Sequence, residues 1–253
     1  MQAPERLLPK VLEIAEQAGV VILEHYHAGT EIRAKADASP VTAADEAGEA
    51  VILAALRALT PDVPIVAEEA VAKGEIPDVG DAPFWLVDPL DGTKEFISRN
   101  GEFTVNIGLI EHRVPILGVV LAPARGLAWW GMAGQGAHRR EAGIVHEIKV
   151  RPRPSAGAVA VASRSHRDAA TDAWLQTEGI EDTVSAGSSL KFCLVAEGKA
   201  DVYPRFGPTM EWDTAAGDAV LRAAGGRVLT TDGEPFLYVK PGFRNPGFIA
   251  RGA

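Results

Sequence analysis

The hydrophobic period of this chain changes twice, and those changes constrain its architecture more than any other feature. Leu8, Val11, Leu12, Ala15, Ala18, Ile22 and Tyr26 recur at helical steps, which predicts an amphipathic helix over residues 6–26 with Pro9 tolerated in its first turn. Thr42 reads as the N-cap of a second helix running to about Leu59, where Thr60-Pro61 stops it. Beyond Pro64 the pattern becomes short apolar runs at residues 65–67, 84–87, 103–110, 116–121 and 127–130. In the third of these, Phe103, Val105, Ile107 and Leu109 alternate with Thr104 and Asn106, which is strand periodicity. Short turns between successive strands, including the glycine-rich segment from Gly131 to Gly136, predict a largely antiparallel sheet. After the proline-rich stretch 150–157, strands at 158–162, 200–203 and 227–229 alternate with helices at 168–178, 189–197 and 214–224, an α/β signal. The reading is an α+β half (residues 1–154) followed by a smaller α/β half (155–253), with the site expected in the cleft between them.

Composition excludes several classes. With 25 Lys+Arg against 34 Asp+Glu the net charge is −9, which argues against nucleic acid and against an anionic membrane surface as the main partner. The single cysteine, Cys193, cannot form an internal disulfide, so a reducing compartment fits. The longest uncharged apolar run, residues 114–124, is too short to cross a bilayer and holds Pro115, Gly118 and Pro123, so no integral membrane segment is expected. Glu5, Arg6 and Pro9 stand where a secretory signal would carry its apolar stretch. A cytoplasmic location is expected; the oligomeric state is unassigned.

The chemistry concentrates in Trp85-Leu-Val-Asp-Pro-Leu-Asp-Gly-Thr-Lys-Glu-Phe96. An apolar strand runs into Asp88, Pro89 forces a turn, and Asp91-Gly92-Thr93 follows. Two acids three residues apart on such a turn can aim at one point and expose the Leu90 carbonyl, a set of oxygens suited to Mg²⁺. An Asp-Pro/Asp-Gly surface turn with self-bonding side chains would be the plainer reading. Burying acids at the end of an apolar strand is costly without a cation, which favours the metal. Glu68-Glu69 ends another apolar run, and neighbours on a strand point opposite ways, so at most one of the pair faces the metals. Asp213 opens a helix whose face carries Ala215, Ala216, Gly217 and Ala219, small residues that allow close packing; a plain cap is the alternative for this acid. Glu68, Asp88, Asp91 and Asp213 carry four charges, which two Mg²⁺ ions balance, and an incoming phosphate leaves room for a third. Asp88 and Asp91 are too far apart for the acid pair, two residues apart, of the haloacid-dehalogenase phosphatases, and there is no Ser/His/Asp signature, zinc motif or P-loop.

These motifs resemble the lithium-sensitive, Mg²⁺-dependent phosphatases related to inositol monophosphatase, through Asp88-Pro-Leu-Asp-Gly-Thr93 and Trp212-Asp-Thr-Ala-Ala-Gly217. Within that superfamily the chain is similar to bacterial 3′(2′),5′-bisphosphate nucleotidases of the CysQ type. The similarity rests on Asp-Gly-Thr-Lys-Glu-Phe96, Asn100-Gly-Glu-Phe-Thr-Val-Asn106, Ser163-Arg-Ser-His166, Gly187-Ser-Ser-Leu-Lys-Phe-Cys193 and Tyr203-Pro-Arg-Phe-Gly-Pro208. The resemblance implies a layered αβαβα sandwich and metals held by Glu68, Asp88, the Leu90 carbonyl, Asp91 and Asp213. It implies a water-activating pair in Asp45 and Thr93, with Glu68 counted among the catalytic residues; a capping box with Thr42 is the alternative for Asp45. It places substrate on Gly92, Thr93, His166, Ser188, Lys191, Arg205 and Asp213. By their own chemistry, residues 187–191 offer amides, hydroxyls and a cation at a helix start, and Arg205 offers a fork for phosphate. As a lone histidine, His166 reads equally well as a polar residue at a strand end. The implied reaction removes the 3′-phosphate of adenosine 3′,5′-bisphosphate or its sulfated form, clearing a by-product of sulfate activation. Inositol monophosphatase or fructose-bisphosphatase activity is the alternative, and a non-catalytic nucleotide-binding protein the third reading. Loose attachment to the inner membrane face is compatible with the resemblance.

Overall fold

The computed structural model describes residues 3–29, 32–34, 40–163 and 168–252. His166 lies outside the described residues. Helices α1 (Pro4–Ala28) and α2 (Ala43–Leu59) frame a short antiparallel pair, β1 (Ile32–Ala34) and β2 (Pro40–Thr42). Seven strands then form one sheet in sequence order: β3 (Ile65–Ala67), β4 (Phe84–Asp91), β5 (Thr104–Glu111), β6 (Val114–Ala122), β7 (Leu127–Met132), β8 (Gly136–Glu141) and β9 (Ile144–Ile148). Only β3–β4 is parallel; the other pairs are antiparallel, as the short turns predict. The short helices α3 (Glu68–Ala72) and α4 (Thr93–Ile97) follow β3 and β4. Glu68 and Glu69 thus open a helix instead of ending a strand.

The remaining chain builds a second sheet from β10 (Val159–Ser163), β11 (Asp182–Ala186), β12 (Val202–Arg205), β14 (Arg227–Thr230) and β16 (Phe248–Arg251), ordered 11-10-12-16-14. Helices α5 (Ala169–Thr177), α6 (Leu190–Ala196) and α7 (Glu211–Ala223) and the two-residue strands β13 (Thr209–Met210) and β15 (Arg244–Asn245) complete it. Strand β11, at one edge, and β16, between β12 and β14, escape the sequence reading. Residues Asp182, Thr183 and Ser185 of β11 carry no apolar run, and only pairing with β10 makes them a strand.

Three hydrophobic cores define five layers. Leu7, Val11, Ile22, Ile52 and Leu56 of α1 and α2 pack on Trp85, Val87, Val105, Ile107 and Leu109 of the first sheet. The opposite face, with Phe84, Leu86 and Val120, packs on α6 and α7, which in turn cover Tyr203, Val228 and Phe248 of the second sheet. Leu175 of α5 packs with Ala160, Val202 and Ile249 on the far side. The order is α/β/α/β/α, the sandwich that the resemblance implies. Because β4 is covered on both faces it reads as a continuous apolar run and not as an alternation.

The position of α7 follows from glycine. Gly108, Gly118 and Gly131 are register partners across β5, β6 and β7, so they line one track on one face of the sheet. A Cβ at Gly108 would fall 2.9 Å from Ala215 Cβ, one at Gly118 2.3 Å from the Ala216 carbonyl oxygen, and one at Gly131 2.8 Å from Val220 Cα. The helix lies along that track at near backbone contact. Its N-terminus therefore projects over β5 and β4, where the acids end their strand.

Candidate active site

At the end of β4, Asp88 is buried and one of its oxygens accepts from the Leu90 N–H at 2.9 Å. The self-bonding turn expected of Asp-Pro is thus present. The Leu90 side chain is buried in the core beneath α1 and α2. Asp91 ends the strand and Gly92 follows with φ +91°, a left-handed conformation that favours glycine. There is little space for a side chain: a Cβ at Gly92 would stand 3.3 Å from Ser188 Cβ and 3.4 Å from the Glu102 carbonyl. This kink makes Thr93 the first residue of α4.

Asp45 performs two tasks at once. Its Oδ2 accepts from the Thr42 N–H at 2.8 Å and the Thr42 hydroxyl at 2.7 Å, while its Oδ1 accepts from the Thr93 hydroxyl at 3.4 Å. The capping box and the approach to Thr93 coexist because a carboxylate has two oxygens. One turn along α2, Glu49 is buried and accepts from the Glu69 N–H at 2.8 Å. Burial pushes its carboxyl up to about 7. Glu49 anchors the start of α3 and so the position of Glu68.

The second half contributes from α6 and α7. The Ser189 hydroxyl lies 3.1 Å from Asp91 Oδ2 and 2.9 Å from the Asp213 carbonyl oxygen, joining the two. Asp213 Oδ2 accepts from the Met210 N–H at 2.8 Å, so it also caps its own helix. Ser188 has φ +44° and donates to the Glu102 carbonyl at 2.8 Å; the Gly187 N–H donates to Glu102 Oε2 at 2.8 Å. Lys191 is buried, its ammonium donating to the Ser188 carbonyl and lying 5.4 Å from the Tyr203 ring centre. Arg205 is buried and donates through Nε to the Gly207 carbonyl and through Nη2 to the Pro208 carbonyl; both bonds brace its own loop.

The electrostatics tie these groups into one site. Burial raises the Asp91 carboxyl to about 6, with Glu95 and Glu68 adding to the effect and Lys191 opposing it. Burial, then Asp91 and Glu68, push Asp213 well above the usual carboxylate range. Burial lowers Lys191 to about 8 against the pull of Asp91, Glu95 and Glu102. Glu68, Asp91 and Asp213 therefore feel one another across three separate elements, and carboxylates crowded this way await a cation. Among the described residues no three His, Cys, Asp or Glu side chains already stand together around one ion. Mg²⁺ does not require that, since it keeps several waters and takes one or two carboxylates plus substrate phosphate. An all-oxygen set of half-buried, mutually repelling acids fits such an ion.

Glu49, Glu95 and Glu102 were missed in the sequence. For Glu49 there was a usable signal: it stands four residues after Asp45 and so on the same helix face. Glu95 and Glu102 stand inside the Asp-Gly-Thr-Lys-Glu-Phe96 and Asn100–Asn106 motifs, but nothing local assigned them a role, because Glu102 meets Gly187 and Glu95 acts on Lys191 in the distant 187–191 segment.

The fold and this acidic centre define a class. The inositol monophosphatase family model matches residues 4–247, and the chain belongs to that family, whose members are metal-dependent phosphatases that generally use Mg²⁺. It is 51% identical over 247 residues to the 3′(2′),5′-bisphosphate nucleotidase CysQ of Escherichia coli (strain K12), covering 96% of this chain and 98% of that one. The crystal structure of CysQ from Bacteroides thetaiotaomicron superposes with a TM-score of 0.79 at 38% identity, covering 97% of this chain and 96% of the other. The inositol monophosphatase from Anabaena (Nostoc) gives 0.79 at 29% identity, covering 98% and 91%.

Proposed function

We propose that this protein is a 3′(2′),5′-bisphosphate nucleotidase that hydrolyses the 3′-phosphate of adenosine 3′,5′-bisphosphate, and of its sulfated form, by attack of water. The observation that carries the reading is the 51% identity to a nucleotidase of that name over 96% of the chain. Glu68, Asp88, the Leu90 carbonyl, Asp91 and Asp213 would hold two Mg²⁺ ions, with a third accompanying the phosphate. When bound, the ions supply charge neutralisation and Lewis acidity toward the phosphoryl group. Asp45, fixed by its cap to Thr42, accepts from the Thr93 hydroxyl and leaves the Thr93 oxygen's lone pairs for the reacting water, so that Thr93 orients the water and takes its proton as the hydroxyl's own proton passes to Asp45 Oδ1. Glu68, beside Asp91 and Asp213, shares the charge of that centre.

The 1–154 half carries all of these metal ligands but Asp213, and the 155–253 half adds Asp213 and most of the nucleotide contacts. Gly92, Thr93 and Asp213 contact the 3′-phosphate and its sugar; Ser188, Lys191 and Arg205 face the second phosphate, and His166 borders the base or that phosphate. The charge on Lys191 supports this, since a buried ammonium next to acids draws an anion that acids alone would repel. No described helix is long and apolar enough to cross a membrane, and a cytoplasmic protein, with loose attachment to the inner membrane face as the variant, accords with a soluble nucleotide substrate. The test is a substrate panel with Mg²⁺. Adenosine 3′,5′-bisphosphate is expected to release phosphate far faster than inositol 1-phosphate or fructose 1,6-bisphosphate; the reverse order rejects the substrate.

A further inference from the structure

Two buried polar residues next to the acids have no role in the scheme above. Thr104 and Asn106 belong to the Asn100–Asn106 motif, and they are 0% and 1% exposed. Among the described residues, neither the Thr104 hydroxyl nor either polar atom of the Asn106 amide has a hydrogen-bond partner. Such orphans are rare, since an unpaired buried amide forfeits its hydration with nothing in return. Neighbours of the same strand face show that apolar or small residues are accommodated there: Gly108 lies beneath Ala215.

Their place in the sheet is specific. In the β4–β5 ladder Asn106 is the register partner of Asp88, and Thr104 is the partner of Asp91. Residues opposite each other in an antiparallel pair project from the same face with Cβ atoms about 4.5–5.5 Å apart. The face is the one on which α7 lies, because Gly108, two residues along, meets Ala215. Each orphan is thus set beside one of the two acids of the Asp-Pro-Leu-Asp turn, beneath the helix that brings Asp213.

We propose that Asn106 and Thr104 are positioning residues. Unpaired in this structure, the Asn106 amide would donate to the Asp88 carboxylate, and the Thr104 hydroxyl to the Asp91 carboxylate, once Mg²⁺ turns those acids toward itself, and so keep them aimed at the ion. This rests on the metal assignment made above. Donors of this kind around a ligating carboxylate keep it aimed, and their removal weakens metal binding while the ligands stay in place.

The proposal separates stability from metal affinity. An apolar group of similar shape in place of an unpaired buried polar one is neutral or stabilising, so N106L and T104V are expected to melt at or above the wild-type temperature without metal. Calorimetric titration of the full chain with MgCl₂ is expected to show binding about 10- to 100-fold weaker for N106L. A smaller loss is expected for T104V, with the KM for the bisphosphate at saturating Mg²⁺ unchanged. T104V is isosteric and carries the test if N106L does not fold. Mg²⁺ binding within twofold of wild type in both variants overturns the proposal. Absence of Mg²⁺ binding to the wild-type protein instead overturns the metal assignment itself, and with it this inference.

Discussion

Asp88 and Asp91 on one side of the site and Asp213 on the other reach it by opposite routes. The first two belong to a turn of four residues whose geometry is local: Pro89 sets φ, the Leu90 N–H ties back to Asp88, and Gly92 takes the left-handed kink. Asp213 arrives by tertiary packing, at the end of a helix laid along Gly108, Gly118 and Gly131. The contrast teaches that charge alone is at stake in the turn, whereas at α7 a residue remote from the chemistry decides whether the acid is present at all.

Replacing a carboxylate within the turn should give the largest loss of activity with the least loss of fold. Asp88→Asn keeps the shape and is expected to lower turnover by more than about 100-fold, beyond the usual cost of losing an outer-shell contact, while circular dichroism and metal-free melting stay unchanged. Near-normal turnover would remove Asp88 from the metal set. Gly118→Ala should do the reverse. Its Cβ would fall 2.3 Å from the Ala216 carbonyl oxygen, so α7 must lift, at a cost of about 3 kcal/mol and roughly 5–10 °C in Tm. Mg²⁺ affinity should fall with it as Asp213 moves. Gly80 has open space around it, and Gly80→Ala serves as the neutral control; equal melting of the two variants would break the contrast.

The smallest effect is on pH. Burial raises Asp91 to about 6 and pushes Asp213 up as well, so both hold protons in the metal-free fold at pH values where the unfolded chain has lost them. Their contribution to metal-free stability is therefore greatest at low pH and is lost as pH rises through the folded value. Cation binding requires the carboxylates, so protons compete with Mg²⁺. Calorimetry should show affinity falling about tenfold per pH unit below 6 for each proton displaced. A flat profile between pH 5 and 7 would show that these acids are already ionised without metal.

Much of the fold was legible in the chain. The period change at Pro64 separates the helical pair from the sheet, and Thr42 and Thr60-Pro61 bound α2 as predicted, because capping and proline act within one turn. Strand β4, covered on both faces, was found as an apolar run. Strand β11, with its polar residues, was not, since its partner supplies what its own side chains do not. In the site, Asp45 is the instructive residue. Its spacing from Thr42 announced a cap, and its approach to Thr93, 48 residues away, could be expected only from the family pattern.

Short-range stereochemistry, written in consecutive residues, determined the acid-bearing turn, the helix caps and the class of chemistry, because proline, glycine and carboxylate spacing act over a few bonds. What only the tertiary structure decided was which distant groups share one electrostatic environment. Asp213 and Ser189 reach Asp91 through the packing of α6 and α7, Glu49 reaches Glu69 across helices, and Asn106 and Thr104 stand beside Asp88 and Asp91 through strand register. Those relations depend on shape complementarity summed over whole layers, which no local window of residues contains.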